Sequence, residues 1–248
     1  MRVLIVGETW NTFHIHVKGF DPFFNSTYEN GAGWLRGALE ANGCEVVHIT
    51  NHDAPVAFPM TMDELKTYDV VLLSDIGANT ILLHPDTFAR SQRTPNRLKL
   101  MKEYVANGGG LAMIGGYLTF QGIDAKGQWS ATAVEEALPV NISTTDDRQE
   151  VPEGFEPTVR KKGHPILEGI PEQWPWFLGY NKLREKDDAD VLLEHEGDPF
   201  LAVRTFGKGR TGAFASDCAP HWGSHAFVEW EYYQKFWFQF IQWLGSGR

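Results

Sequence analysis

The sequence predicts an α/β fold with a doubly wound, mostly parallel sheet and an added antiparallel hairpin. Three observations predict it. Short apolar runs, of which residues 69–75 are the clearest, have the composition of parallel strands buried on both faces. Helical patterns separate these runs, and such alternation favours a parallel sheet with right-handed crossovers. Two later strand-like runs, joined by a glycine-containing turn, are typical of a hairpin.

The first part of the chain alternates between strand and helix patterns. Residues 3–6 form the first predicted strand, and a long polar and aromatic connection at residues 10–30 follows it. The helical pattern at residues 33–41 stops at Asn42-Gly43, which is a favourable C-terminal cap. We expect the next elements to be a strand at 44–49, a short helix at 62–67 and the third strand at 69–75.

A second long helix is predicted at residues 96–106. Thr94 and Pro95 are expected to provide its cap and its first-turn proline, because proline is favoured at the start of a helix. A fourth strand at residues 111–114 follows this helix. The order of elements up to this point therefore indicates a parallel sheet.

The C-terminal part has a less regular pattern. We interpret residues 139–190 as an irregular or antiparallel elaboration, in which the charged cluster at 144–148 is most simply a solvated turn. The predicted hairpin pairs residues 200–204 with 211–215. Residues 227–244 are predicted as a closing helix that is aromatic almost all round. One side of this helix should pack on the sheet. Another side is available to contact a neighbouring subunit, so we also consider a homo-oligomer.

Length and composition restrict the class of protein. A chain of 248 residues with 42% hydrophobic residues is consistent with one domain over residues 1–248. Its formal net charge of −10 argues against nucleic acid or an anionic membrane as a partner. The chain begins directly with strand-like residues and has no apolar run of bilayer length, so we expect a cytoplasmic protein. The two cysteines lack metal-type spacing, and we expect no cofactor.

Polar residues follow the predicted strands at the points where ligands bind in open parallel sheets. In such sheets, ligands occupy a crevice outside the carboxyl ends of the strands. Segments that are distant in sequence therefore contribute to one crevice, and a small-molecule ligand is the partner that we expect there. The candidate residues after successive strands are Glu8, Thr9, Trp10 and Asn11; Asp75, Gly77 and Asn79; Gly116, Tyr117 and Gln121; and Asp217, Cys218 and His221.

Residues 108–121 combine a short apolar strand with an abrupt glycine turn that presents Tyr117. This stretch resembles the nucleophile elbow of class I glutamine amidotransferases, which runs Gly, any residue, Cys, Leu or Phe, Gly, any residue, Gln. Tyr117 stands in the place of the nucleophilic cysteine, and Thr119 in the place of the second glycine. Thiol-based glutamine hydrolysis at this point is therefore excluded. The residues that match the pattern are Gly115, Leu118 and Gln121.

The resemblance implies a flavodoxin-like fold and an oxyanion site. The segment 74–79 takes the place of the glycine-bearing loop after the third strand, so the main-chain amides of Gly77 and Leu118 are the implied donors. The family's His-Pro-Glu is altered, because His221 is displaced along its loop and no glutamate follows two residues later. Residues 163–170 are similar to a segment of the putative amidotransferase branch that is related to trehalose-utilisation proteins.

Two functional hypotheses follow. The first is a re-purposed hydrolase or modifying enzyme for a small polar or sugar-like substrate, with His221 as acid or base and Asp217 or Glu8 as its orienting carboxylate. Tyr117 would act as acid, base or nucleophile, helped by a helix N-terminus at the elbow, or would bind the ligand without chemistry. The alternative hypothesis is a non-catalytic protein that binds a small molecule or serves in an assembly.

Other residue patterns suggest rival sites. Cys218 precedes His221 by three residues, but so short a loop separation does not place its sulfur on the imidazole, and Cys44 is expected in the core. His14 and His16 point the same way in an extended segment. Together with Asp21 they resemble a metal ligand set, as do His221 and His225 at helical spacing. Hydrogen-bonded or exposed histidines and no metal remain the default expectation.

Tryptophans in the predicted loops would suit a sugar ring, whose apolar face stacks on an indole. The same residues equally serve as plugs beneath long connections or as subunit contacts. Of these tryptophans, Trp10 and Trp222 are included among the ligand-binding candidates. The five loop tryptophans are Trp10, Trp129, Trp174, Trp176 and Trp222.

Overall fold

The computed structural model describes residues 1–247 of the chain. An eight-stranded sheet forms its centre, with the strand order β4-β1-β5-β6-β14-β13-β12-β9. These strands are β1 (Arg2–Gly7), β4 (Glu45–Ile49), β5 (Val70–Ser74), β6 (Gly110–Ile114), β9 (Thr158–Val159), β12 (Asp190–His195), β13 (Asp198–Phe206) and β14 (Gly209–Phe214). The remaining strands pair outside this sheet: β2 (Thr9–His16) with β3 (Phe23–Asn30), β7 (Val140–Asn141) with β11 (Arg184–Glu185), and β8 (Arg148–Phe155) with β10 (Phe177–Asn181).

Short helices connect most of the strands. They are α1 (Gly33–Ala41), α2 (Ala54–Ala57), α3 (Met62–Leu65), α4 (Ala78–Leu82), α5 (Pro85–Arg90), α6 (Arg97–Ala106), α7 (Ala133–Ala137), α8 (His225–Val228) and α9 (Tyr233–Gly245). Two 3₁₀ turns, Ile123–Ala125 and Pro165–Leu167, complete the set. Among residues 1–247, no helix has the length and apolar composition that a bilayer crossing requires.

The central sheet confirms the predicted fold class. Strands β4, β1, β5, β6 and β14 run parallel, whereas β13, β12 and β9 continue the sheet in antiparallel pairs. Every residue of β5 and β6 is buried, as expected for parallel strands covered on both faces. The predicted hairpin is β13 and β14, in which Leu201 pairs with Phe214.

Helices cover both faces of the sheet. The hydroxyl of Thr211 on β14 donates a hydrogen bond to the carbonyl oxygen of Ala137 in α7. A Cβ on the next residue, Gly212, would lie 2.4 Å from the Phe240 ring of α9. Because successive strand residues point to opposite faces, α7 and α9 lie on opposite sides of the sheet. This is the doubly wound arrangement that the sequence predicts.

The connection predicted at residues 10–30 is instead an antiparallel ribbon of β2 and β3. All eight residue pairs of the ribbon are in register, from Thr9 opposite Asn30 to His16 opposite Phe23. Glu8 and Gly31 close its base through a backbone hydrogen bond of 2.9 Å. Aromatic residues alternating with polar ones over this stretch suit strands, but the segment has no core-facing side, and such a side is what identifies a strand in a sequence.

Two predicted helix ends are wrong. Helix α6 begins at Arg97, because the Asn96 side chain accepts a hydrogen bond from the Lys99 amide and so provides the cap. Thr94 and Pro95 therefore lie before the helix. The predicted helix at 227–244 is divided into α8 and α9, and Ser224 caps the first of them. Side-chain caps therefore mark the starts of α6 and α8, whereas α9 begins without one.

Candidate functional site

Four neighbouring strands of the central sheet end at one cavity. Strands β1, β5 and β6, and the segment after β14, enclose about 550 Å³ at their carboxyl ends. This is the position that the strand-end rule assigns to a ligand. Seven of the lining residues were candidates from the sequence: Glu8, Trp10, Asp75, Tyr117, Leu118, Asp217 and His221. The other lining residues, Ile123, Ala219 and Pro220, are apolar and carried no sequence signal.

Unusual backbone conformations turn the acidic side chains into this cavity. Glu8 and Asp75 directly follow β1 and β5, and their φ angles of 55° and 42° lie in the left-handed region. Such conformations cost about 1–3 kcal/mol each and concentrate at functional sites. Gly116, after β6, has a φ of 151°. A Cβ at Gly116 would lie 3.0 Å from Oδ1 of both Asp75 and Asp217, so glycine is required there.

Asp217 and His221 form a hydrogen-bonded pair at the cavity wall. Nδ1 of His221 lies 2.7 Å from Oδ2 of Asp217, and the backbone amide of Trp222 donates to the same oxygen at 3.0 Å. The Asp217 side chain is buried, whereas that of His221 is 49% exposed. The hydrogen bond to Asp217 raises the pKa of His221 above its ordinary value. Within residues 1–247, no protein group bonds Nε2, which leaves this nitrogen for a ligand.

Three carboxyl groups are crowded beside this pair. The Oδ1 atoms of Asp75 and Asp217 lie no more than about 6 Å apart, since each is 3.0 Å from the same point above Gly116. Burial, followed by the charge of Asp217, raises the pKa of Asp75 to about 6. Burial and both neighbouring aspartates also raise the pKa of Glu8 well above its ordinary value, although Ser74 donates a hydrogen bond to Glu8 at 2.5 Å. Glu8 and Asp75 therefore hold their protons to a higher pH than ordinary carboxyl groups do.

Tyr117 is held in part by Glu150 and Arg148, neither of which was a site candidate from the sequence. Its hydroxyl donates to Oε1 of Glu150 at 2.9 Å, and the Arg148 guanidinium lies 4.9 Å from the centre of its ring. Trp222 donates from Nε1 to the other oxygen of Glu150 at 3.0 Å. The Tyr117 ring meets His221 edge to face, with 4.6 Å between centroids. Burial and the hydrogen bond to Glu150 raise the pKa of Tyr117, so the phenol keeps its proton at neutral pH.

Comparisons with known proteins identify the family of this chain. Residues 2–246 match the family model described as "Putative glutamine amidotransferase". The chain belongs to this glutamine amidotransferase-like family.

Solved structures agree with the family assignment. Cytoplasmic Protein STM3548 from Salmonella typhimurium is 44% identical, with a TM-score of 0.95 over 98% of this chain and 99% of that chain. Cytoplasmic Protein STM1381 from Salmonella typhimurium LT2 is 43% identical, with a TM-score of 0.94 over the same shares. A ThuA-like protein from Bacteroides uniformis, 13% identical, shares the fold with a TM-score of 0.59 over 98% of this chain and 90% of that chain. No curated protein matches the sequence.

In this amidotransferase-like chain, the segment after β6 differs from the elbow that the resemblance implied. No α-helix follows Tyr117 directly. The next α-helix is α7, and Tyr117 itself is not in the left-handed region. Two buried side chains hold the segment instead. Asn181 accepts from the Gly116 amide at 3.0 Å, and Asp147 accepts from the Gln121 and Gly122 amides at 2.9 and 2.8 Å. The helix N-terminus expected to favour an anion is therefore missing.

The charged cluster at residues 144–148 is also not simply a solvated turn. Asp147 is 2% exposed and accepts a further hydrogen bond from Asn181 at 2.9 Å. Arg148 begins β8, the strand that brings Glu150 to Tyr117. A run of charged residues is usually exposed to solvent. Here one of its carboxylates is buried instead, because the main-chain amides after β6 are buried outside any helix and need hydrogen-bond acceptors.

The two amides implied as oxyanion donors do not meet over the cavity. The Leu118 amide donates to Oδ1 of Asp75 at 2.8 Å and is therefore already occupied. Gly77 is buried at the start of α4 and does not line the cavity, and Asn79 is exposed on that helix. Gln121 faces away from the cavity, because its side-chain oxygen accepts from the Ser130 amide at 3.3 Å.

The rival sites are not assembled. Cys218 is fully buried, 3.7 Å from the Ser74 hydroxyl, and burial raises the pKa of its thiol well above the ordinary value. His16 stacks on Phe23 with 4.4 Å between centroids, and His225 lies on α8, which begins after His221. In the described part of the chain, no three His, Cys, Asp or Glu residues are grouped to hold a metal ion.

The loop tryptophans have separate roles. Trp129, Trp174 and Trp222 are at most 2% exposed and belong to the core. Trp222 therefore supports the cavity wall from behind rather than lining it, whereas Trp10 lines the cavity and is 40% exposed. Trp176 is exposed away from the cavity lining.

Proposed function

We propose that this protein is a hydrolase acting on a small polar, sugar-like substrate, with His221 as its general base. The observation that carries the proposal is the 2.7 Å contact between Nδ1 of His221 and Asp217, which leaves Nε2 open to the cavity. A carboxylate on one imidazole nitrogen fixes the tautomer in which the other nitrogen accepts a proton. Trp10 offers an apolar wall to a sugar ring, and the carboxyl groups offer partners for its hydroxyls.

In the proposed reaction, Asp75 supplies the proton that the leaving group takes. Nε2 of His221 removes a proton from water, and the water oxygen forms a bond to the electrophilic carbon of the substrate. The bond from that carbon to the leaving oxygen breaks, and the leaving oxygen takes the proton of the Asp75 carboxyl group. Its raised pKa of about 6 leaves part of the Asp75 population protonated just below neutral pH, and this is the form that donates. The proton on His221 then returns to Asp75 through solvent.

Glutamine hydrolysis is not part of this proposal. Tyr117 replaces the elbow thiol, and Cys218 is buried outside the cavity lining. Tyr117 instead contacts the substrate beside His221 and positions Glu150. A cytoplasmic location is proposed with it, because the relative at 44% identity is named a cytoplasmic protein.

The test is a hydrolysis panel on the full chain. It compares p-nitrophenyl glycosides, p-nitrophenyl acetate and L-glutamine as substrates for the wild type, H221N and the control H225N. His225 is exposed on α8 and does not line the cavity. We expect glycoside or ester hydrolysis that falls at least about 100-fold in H221N and is unchanged in H225N. Equal activity in H221N, or glutamine hydrolysis retained in C218A, would contradict the proposal.

A non-catalytic binding protein is the second candidate, and one observation favours it. Two groups suited to a reacting substrate are already engaged within the protein, since the Leu118 amide binds Asp75 and the Tyr117 hydroxyl binds Glu150.

Turnover by the wild type separates the two candidates, and the Y117F variant then tests the role of the phenol. For the enzyme, we expect Y117F to lose less than about tenfold in turnover, since the proton transfers use other groups and one hydrogen bond is lost. For a binding protein, neither the wild type nor any variant shows turnover. A sugar identified by thermal shift should then bind Y117F less than about tenfold more weakly than it binds the wild type. A loss in Y117F as large as in H221N would assign the proton transfer to the phenol.

A further inference from the structure

The ribbon of β2 and β3 has one apolar and one mixed face. Residues paired directly across an antiparallel ribbon point to the same side, and neighbours along each strand point to opposite sides. The pairing of Phe13 with Ser26 and of Ile15 with Phe24 therefore places these residues together. We call this side the apolar ribbon face; its residues are Asn11, Phe13, Ile15, Phe24, Ser26 and Tyr28.

The apolar ribbon face is exposed to an unusual degree. The exposed fractions are 75% for Phe13, 65% for Ile15 and 71% for Phe24, and at the turn Phe20 is fully exposed. Of the thirteen large apolar residues that are exposed in the described chain, eight lie between Trp10 and Tyr28. Scattered apolar residues on a surface need no explanation, but a contiguous group of this kind marks an interaction site.

The chain's own body covers only the base of the ribbon. Nδ2 of Asn11 lies 2.5 Å from Nε2 of His52, and the Tyr28 ring meets the same histidine edge to face at 5.4 Å. From its base to its turn, the whole ribbon is about 27 Å long, because each of its eight residue pairs rises about 3.4 Å. An isolated two-stranded ribbon is marginally stable in water. The outer part of the ribbon therefore needs a covering surface.

We propose that the apolar ribbon face packs on the same face of a second copy of this chain, across a two-fold axis. The area is sufficient. A fully exposed large side chain presents about 200 Å², so the exposed fractions of Phe13, Ile15, Phe24 and Tyr28, with Val17 and Phe20 of the turn, give about 850 Å² per copy. A standard stable interface buries about 800 Å² per partner.

The chemistry of the face also fits a second copy. It carries no charged residue, although each chain has a net charge of −10. Lys18 and Asp21 lie in the turn, and Glu29 pairs with Trp10 on the other face. Interface centres are poor in charge and rich in aromatic residues, and a two-fold axis requires only that one face be complementary to itself. An acidic chain is poorly suited to an anionic membrane, which would otherwise accept exposed phenylalanines.

The experiment measures the mass of the full chain by sedimentation equilibrium over about a hundredfold range of concentration. We expect the wild type to form a species of twice the chain mass. The variant F13T/F24T keeps β-forming residues but removes both rings, and it should weaken dimerisation at least about 100-fold. The matched control is H14T/N25T, which changes a directly opposed pair on the other face and should leave the dimer intact.

Three outcomes would overturn the proposal. One is a wild type that stays monomeric throughout, and another is a dimer that F13T/F24T does not weaken. The third is a monomer that co-sediments with phosphatidylcholine–phosphatidylglycerol vesicles through Phe13 and Phe24, which would assign the face to a membrane. Circular dichroism of F13T/F24T provides the folding control, because the eight-stranded sheet contains neither residue.

Discussion

At the residue scale, Asp75 makes the stability of the protein depend on pH. Its pKa is about 6 in the folded chain, because of burial and the charge of Asp217. In an unfolded chain the pKa of an aspartate is about 3.9. The folded state therefore binds more protons between these values, and the free energy of unfolding falls as the pH rises from about 4 through about 6. The variant D75N removes this titration.

As the pH rises from about 4 through about 6, we expect the free energy of unfolding to fall less in D75N than in the wild type, and the difference should reach up to about 3 kcal/mol. Urea unfolding at about pH 4 and about pH 7.5 measures the difference. The control is D21N, since Asp21 is exposed in the ribbon turn. A D75N variant with the pH dependence of the wild type would mean that Glu8 alone holds the proton of the cluster.

Individual site residues could be predicted to the extent that they follow strands. Glu8 and Asp75 lie directly after strand ends, Asp217 lies three residues after the end of β14, and the sequence placed all three at one edge of the sheet. Glu150 and Asp147 were missed, because their positions depend on an antiparallel pair, β8 and β10, outside the central sheet. No spacing in the sequence indicates that this pair crosses the carboxyl edge of β6.

At the element scale, the fit between α9 and the sheet depends on a glycine. Adding a Cβ at Gly212 of β14 would bring it within 2.4 Å of the Phe240 ring. We expect G212A to lower the free energy of unfolding by about 1–3 kcal/mol, because α9 must shift or Phe240 must leave its rotamer. Chemical denaturation of the purified variant measures this change.

G37A is the matched glycine control. Gly37 lies within α1, and no atom comes within 4 Å of a Cβ built there. Alanine in a helix interior is favoured over glycine, so G37A should raise the free energy of unfolding by about 0.5–1 kcal/mol. A G212A variant at least as stable as the wild type would refute close packing of α9 on β14.

At the scale of the whole molecule, stability is divided between the sheet and the ribbon. Strand β5 is buried and lies between β1 and β6, whereas β2 and β3 pair only with each other. We expect amide hydrogen exchange to be slowest in β5 and β6 and faster by orders of magnitude in the ribbon of a dilute sample. Mass spectrometry of peptic fragments measures both regions in one experiment.

The ribbon also links exchange to association. If a second copy covers the apolar ribbon face, exchange in β2 and β3 should slow as the protein concentration rises, while exchange in β5 should not change. The F13T/F24T variant should lose that concentration dependence. Ribbon amides protected equally at all concentrations would show that the chain's own body covers them.

The sequence by itself determined the central parallel strands, the hairpin of β13 and β14, and the edge of the sheet at which polar residues gather. These features follow from local periodicity and from the rule that parallel strands end together. Only the tertiary structure decided which groups are engaged. Asp75 occupies the Leu118 amide, Glu150 holds Tyr117, and Asp147 replaces a helix after β6. Such contacts join residues far apart in sequence, and their energies depend on burial and direction, which a linear pattern does not contain.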